Sequence, residues 1–204
     1  MEENLKSNLV GQREIRLEKL EQLKKLGVNP YPAKSNKEYR NIDILNDFEK
    51  FEGKVVCLAG RIVAWREHGK LTFADIRDQS GDIQVMIRKD VPQKDLGNGY
   101  LGWEELSLLD LSDFVEVEGE IAKTKTGQIS ILAQKVRLLT KTLRPIPRKL
   151  KNKEQMFRRR YLDLVINPDR VKMFERKAMF WQVQRDFLKS KGFMEVEVPV
   201  LEMV

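Results

Sequence analysis

RIVAWREHGKLTFADIRDQSGDIQ, residues 61–84, is the stretch on which the reading of this chain turns. Apolar and polar residues alternate in two runs, as in half-buried strands whose side chains switch faces at every step. Glu67-His68-Gly69-Lys70 supplies one turn, and Asp78-Gln79-Ser80-Gly81-Asp82 a second, ahead of Ile83-Gln84-Val85-Met86-Ile87. The pattern predicts one face carrying Ile62, Leu71, Ile83 and Val85 to a core, and another presenting Arg66, Lys70, Phe73 and Gln84. A cation, an aromatic ring and an amide on a sheet surface form a platform for an unstacked base. The same residues also describe an ordinary solvated sheet face, and alone they leave both readings open.

Outward from this meander, the pattern stays all-β from Val55 to Leu139 with one helical interruption. A strand from Val55 to Trp65 precedes it, with Gly60 as a bend or bulge. Gly97, Asn98, Gly99 and Gly102 break the chain before a short helix from Trp103 to Leu109. Asp113–Ala122 alternates as a fourth strand, residues 123–127 turn it, and Gln128–Leu139 forms a fifth. Five strands with a helix between the third and fourth is the plan of the OB-fold, which binds oligonucleotides on its strand two–three face and adjoining loops.

The flanks are helical. Residues 5–26 form an amphipathic helix with Leu17, Leu20, Leu23 and Leu26 on one face and Arg13, Arg16, Lys19, Lys24 and Lys25 around the others. Gly27 ends it and Pro30 prevents continuation. That basic face suits a phosphate backbone, and equally the solvated side of a docked helix. A short helical piece spans Ile42–Phe51. Leu143-Arg144-Pro145-Ile146-Pro147-Arg148 is an extended linker. Helices are expected over Lys153–Val165 and Arg170–Lys191, the second striped by Phe180, Val183 and Phe187, with an alternating strand over Phe193–Leu201. So few elements cannot close a core, and this last piece therefore needs something more to pack against. The expected class is α+β, mainly β: a helical extension (1–52), an OB barrel (53–141), a linker (142–152) and the first elements of another domain (153–204).

Composition narrows the partner. With 38 Lys and Arg against 31 Asp and Glu in 204 residues, the chain carries +7, which favours a polyanion. The excess concentrates between Lys141 and Arg160, where nine basic residues accompany one acid, Glu154. The single cysteine, Cys57, lies in an apolar strand pattern and reads as a small buried hydrophobe. No internal disulfide is available, the N-terminus has no signal-peptide core and no run reaches membrane-spanning length, so a cytoplasmic setting is expected. His68 stands alone in a turn, which argues against a zinc site or a Cys/His nucleophile pair. No phosphate-loop or dinucleotide glycine pattern occurs. Glu195 and Glu197 share one strand face, where carboxylates more often form a polar interface than an acid/base pair. No complete catalytic constellation is present.

Several separated stretches resemble one family. The leucine-rich basic helix followed by Pro30-Tyr31-Pro32, then Gly60-Arg61, Arg66, Gly69-Lys70, Phe73, Asp78, Gly81 and Ile83-Gln84, resembles the N-terminal anticodon domain of class II lysyl-tRNA synthetases. Thr124-Lys125-Thr126-Gly127 and Arg137–Lys141 through Leu143-Arg144-Pro145 match that family's fifth strand and linker. Arg159–Leu164 resembles the start of its catalytic domain, and Gly192–Glu197 with Pro199 resembles class II motif 1. Aspartyl and asparaginyl relatives share the OB signature; the PYP segment and the linker favour the lysine enzyme.

The resemblance implies that Phe73 stacks on an anticodon base while Arg66 and Gln84 hydrogen-bond the middle uridine, a uracil carbonyl suiting guanidinium donors. It puts Gln128 near the anticodon where the family usually has Glu, and Val198 where motif 1 usually has Thr. It places Phe193, Glu195, Glu197 and Pro199 at a homodimer interface. Arg13, Arg16, Lys149 and Lys151 become candidates for the tRNA backbone. The implied partner is tRNA-Lys, and the implied reaction joins lysine to it using ATP and Mg²⁺. Class II motifs 2 and 3 lie beyond motif 1 in the family and are absent from these residues, so the chain as given is expected to bind an anticodon without activating lysine, and to bind no cofactor itself. The alternatives are a stand-alone tRNA-binding OB protein without catalysis and a generic single-strand binder.

Overall fold

The computed structural model describes residues 2–124, 126–147, 149–150 and 152–198, with side chains from residue 11 onward. Two compact units divide the chain after Pro145. In the first, α1 (Glu2–Lys25), α2 (Asn41–Asn46) and α3 (Phe48–Phe51) precede β1 (Val55–His68), β2 (Leu71–Arg77), β3 (Asp82–Arg88), β4 (Phe114–Lys123) and β5 (Ile129–Thr140). The strands close a barrel in the order β1-β2-β3-β5-β4, as expected of the OB plan. Two 3-10 turns, Leu96–Asn98 and Glu104–Leu108, connect β3 to β4 in place of the expected helix.

Closure depends on β1 serving two neighbours. Its first half, Val55–Arg61, pairs with β4, and its second half, Arg61–His68, pairs with β2. The register slips between Ile62 and Ala64, next to the change of partner; such a bulge bends a strand and increases its twist. Gly60 precedes that bulge and permits a close approach, since a Cβ there would stand 2.8 Å from the Arg77 carbonyl oxygen. The barrel shuts through a short parallel ladder, Gln84↔Ser130, Val85↔Ile131 and Met86↔Leu132.

The core is the inward set of each strand: Leu58 and Ile62, Ala74 and Ile76, Ile83, Val85 and Ile87, Val117 and Ile121, Ile131, Val136 and Leu138. Leu23 and Val28 at the end of α1, Ile44, Phe48 and Phe51 join the same cluster. Cys57 is buried as expected, and burial pushes its thiol up to about 12.

Several expectations are corrected. β1 continues to His68, which pairs with Leu71, so the first turn is Gly69-Lys70 alone. Leu71 lies in the same half-buried set as Phe73, not on the core face, because two residues apart on a regular strand share a face. The core positions of β2 are Thr72, Ala74 and Ile76. Leu26 stays exposed past the end of α1.

The second unit holds α4 (Lys153–Arg158), α5 (Arg160–Ile166), a 3-10 turn at Pro168–Arg170 and α6 (Val171–Ser190). The helix expected over Lys153–Val165 breaks at Arg159, whose φ/ψ of −121/53 leaves the helical region. Residues 193–198 form no ladder, correcting the strand expected there; residues 199–201 of that segment lie outside the described residues. Of the described residues in this unit, only Asp163 is buried. It accepts from Arg160 (2.6 Å), Arg170 (2.9 Å) and Asn167 (3.0 Å). Burial works to raise its carboxyl, but those donors hold it below the ordinary range. Phe180, Val183 and Phe187 on α6 remain exposed.

Candidate nucleic-acid interface

The outer face of the barrel carries the residues singled out in the meander, and the ladder registers show how they are brought together. Arg66 pairs with Phe73, Phe73 with Met86, and Met86 with Leu132, giving one row across β1, β2, β3 and β5. The adjacent row is Ala64, Asp75, Gln84 and Ser130. The first row offers a ring, a thioether and a leucine for stacking. The second offers a carboxylate, an amide and a hydroxyl. Side chains two apart on one strand face are near neighbours across both rows.

Arg66 reaches diagonally from the first row into the second. Its Nη1 and Nη2 donate to the two Asp75 carboxylate oxygens at 3.0 and 3.1 Å. Gln84 accepts from the Ser130 hydroxyl through Oε1 at 2.8 Å. Phe73 meets His68 in a T-shaped contact, with ring centroids 6.3 Å apart, and is itself half-buried. Next to this row lies a cleft of about 780 Å³ lined by His68, Lys70, Leu71, Met86, Arg88, Lys89 and one acid, Asp90. An open, basic and partly apolar depression continuous with a stacking row fits a single-stranded nucleic acid.

Arg66, Phe73 and Gln84 therefore stand together, as expected. Gln128 is exposed in the β4–β5 turn; its amide N–H donates to Thr124 Oγ1 at 3.2 Å, and its carbonyl accepts the Thr124 N–H at 2.9 Å. That turn leads directly into Ser130 and so into the second row. Lys125, in the same turn, lies outside the described residues.

The other candidates separate. Arg13 is exposed on α1. Arg16 is not available as a backbone contact: it is buried, and its guanidinium donates to the Thr142 and Leu111 carbonyls at 2.9 and 3.1 Å. Its aliphatic stem and fork stay inside, where these two carbonyls each take a donor and the Asp110 carboxylate lies 4.0 Å from Nε. Lys141, which opens the basic run, is likewise internal. Its fully buried ammonium donates to Asp110 (2.5 Å), Asp113 (2.7 Å) and the Leu108 carbonyl (2.7 Å). The sequence counted it as surface charge because its acidic partners lie about 30 residues away. Lys149 is exposed, and Lys151 lies outside the described residues. In the second unit Phe193 is exposed, Glu197 is exposed, Glu195 pairs with Arg185 at 2.8 Å, and Pro199 lies outside the described residues.

Asp75, Ser130, Met86 and Leu132 escaped the sequence reading. Ser130 and Leu132 belong to β5, some 46 residues from Gln84 and Met86, and only the parallel ladder joins them. No group of three or more His, Cys, Asp or Glu that could hold a metal ion occurs among the described residues, and no helix there is long and apolar enough to cross a membrane.

Comparison with known proteins agrees with this geometry. Residues 56–139 match the OB-fold nucleic acid binding domain family, and residues 152–204 match class II (D, K and N) tRNA synthetases. A lysine–tRNA ligase of Thermoanaerobacter pseudethanolicus is 41% identical over 194 residues, and one of Fervidobacterium nodosum is 40% identical over 198. Each alignment takes in 93% of this chain and 38% of the relative, so the chain spans less than two-fifths of the length of the curated relatives it matches.

Proposed function

We propose that this chain, similar to the N-terminal portion of lysine–tRNA ligases, reads the anticodon of tRNA-Lys on the outer face of its barrel. The observation that carries the reading is the double row on β1, β2, β3 and β5: a stacking ring, Phe73, between a guanidinium, Arg66, and an amide, Gln84. Phe73 stacks on an anticodon base, and Arg66 with Gln84 hydrogen-bonds the middle uridine. Gln128 approaches the same loop from the β4–β5 turn. Exposed Arg13 and Lys149 neutralise phosphates along the stem. In this proposal the parent reaction joins lysine to the tRNA 3′ end with ATP and Mg²⁺. The described residues include no acidic cluster suited to the ion, so no catalytic step is assigned to them. The exposed Phe193 and the Glu197 nearby fit the proposed homodimer contact of motif 1.

The test is binding of the 204-residue chain to anticodon stem-loops. Phe73→Ala is expected to weaken binding to a UUU stem-loop by roughly five- to 150-fold, since base–aromatic stacking contributes about 1–3 kcal/mol. A variant that binds as tightly as the parent would refute the platform. A generic single-strand binder would not distinguish a middle U from a middle A; the reading proposed here requires that it does.

A further inference from the structure

We infer that Asp75 and Ser130 are positioning residues that hold N–H donors of Arg66 and Gln84 toward the base, and so set the choice of uracil over cytosine at the 4-position. This rests on the anticodon reading above and adds to it the groups that enforce its selectivity.

Asp75 takes one hydrogen from each Arg66 Nη nitrogen in a forked pair. Such a fork fixes the guanidinium plane. Arg66 keeps Nε–H and one further hydrogen on each Nη for a ligand, and the carboxylate is turned toward its partner. Asp75 is three-quarters covered while Arg66 is nearly half exposed, so the carboxylate forms the base of the pair and the guanidinium its outward end.

Ser130 settles the orientation of the Gln84 amide, which has a donor end and an acceptor end of nearly equal shape. The hydroxyl has one hydrogen and two acceptors in reach: Gln84 Oε1 at 2.8 Å and the Gln128 carbonyl at 3.4 Å. That carbonyl already receives the Thr124 N–H at 2.9 Å and lies 3.2 Å from the Thr124 hydroxyl. Reversing the amide would send the hydroxyl hydrogen to the longer and already occupied acceptor. The hydroxyl therefore donates to Oε1, and Ser130, fully buried, holds Nε2 toward the ligand side. Such donors suit the acceptors O2 and O4 that flank the uracil N3–H. Cytosine keeps O2 and has an acceptor at N3, so the discrimination falls on its 4-amino group, which sets donor against donor where uracil has O4. A site that leaves hydrogen-bonding groups unmatched rejects a ligand more strongly than one that lacks a contact.

The experiment measures fluorescence anisotropy of the 204-residue chain on two stem-loops differing only in a middle U or C. The parent is expected to prefer U. Ser130→Ala should lower the U-over-C ratio about fivefold, Ser130→Thr should retain it because the hydroxyl returns, and Asp75→Asn should lower it by a similar factor. Asp75 is not part of the core, so its variant carries the test should Ser130→Ala fail to fold. An unchanged ratio in the folded variants, or a parent indifferent to U and C, overturns the inference. If Phe73→Ala weakens binding while the ratio is unmoved by Asp75→Asn and Ser130→Ala, the platform stands and the positioning roles fall. If Phe73→Ala binds like the parent, the platform itself falls.

Discussion

Arg16 and Arg66 carry the same charge on the same side chain and differ in what surrounds them. Arg16 donates to two carbonyls from a buried position and so belongs to the scaffold; Arg66 is forked to one carboxylate at the edge of solvent. Removing the Arg16 side chain strands those carbonyls and removes packing along the stem. Arg16→Ala is expected to lower the stability of the barrel unit by about 2–3 kcal/mol in urea denaturation, while the slope of log binding constant against log salt stays at the parent's value. Lys149→Ala should do the reverse, leaving the urea midpoint in place and reducing that slope by about one. Equal effects of the two substitutions on the salt slope would show that Arg16 faces the nucleic acid after all.

At the level of elements, the barrel depends on two strands approaching unusually closely. A Cβ at Gly119 on β4 would stand 2.1 Å from the Leu132 carbonyl oxygen, at the point where the β4–β5 register shifts. Backbone, not a flexible side chain, blocks it, so nothing can yield without breaking the ladder. Gly119→Ala is expected to cost more than about 3 kcal/mol, read as a fall in the urea midpoint. The alternation of DFVEVEGEIA made β4 legible, and it gave no sign that one glycine in it is sterically required. Leu71 shows the same limit from the other side. Its hydrophobicity placed it in the core, but strand parity with Phe73 placed it in the outer set beside the basic cleft. Hydropathy says what a residue prefers; register says what it receives.

Across the barrel unit, the N-terminal extension is tied to the β2–β3 turn through Asp78. Its carboxylate accepts from Lys37 Nζ (2.6 Å), the Asn41 N–H (3.1 Å) and the Ser80 N–H (2.7 Å) and hydroxyl (2.6 Å). Burial pushes this carboxyl up, but the Lys37 ammonium and the surrounding donors overcome it and bring it down to about 2. A carboxyl depressed in the folded state contributes stability that is complete above its unfolded value near 3.8 and is lost as pH falls toward 2. Asp78→Asn should therefore cost roughly 1–2 kcal/mol at neutral pH. The gap between variant and parent should close as pH drops from about 5 to 2, measured by urea midpoints at each pH. A gap independent of pH would show that the charge on Asp78 is not what ties the extension. The second unit contrasts with this one: a carboxylate, Asp163, is its one buried residue among those described, and the apolar stripe of α6 stays uncovered, in keeping with the expectation that this piece needs something more to pack against.

The amino-acid sequence by itself determined the five strands, their turns and the helix before them, and set Arg66, Phe73 and Gln84 on one sheet face. Those features follow from local period, turn chemistry and side-chain type, all of which act over a few residues. Tertiary structure decided which charges are available and which are internal. Lys141 found Asp110 and Asp113, Arg16 found the Thr142 and Leu111 carbonyls, and Gln84 found Ser130, over separations of 28 to 126 residues. Pairings of that range depend on how the barrel closes, and no local pattern encodes closure. The stretch from Arg61 to Gln84 thus placed Arg66, Phe73 and Gln84 on one face, and β5, folding back beside β3, supplied the hydroxyl that Gln84 meets.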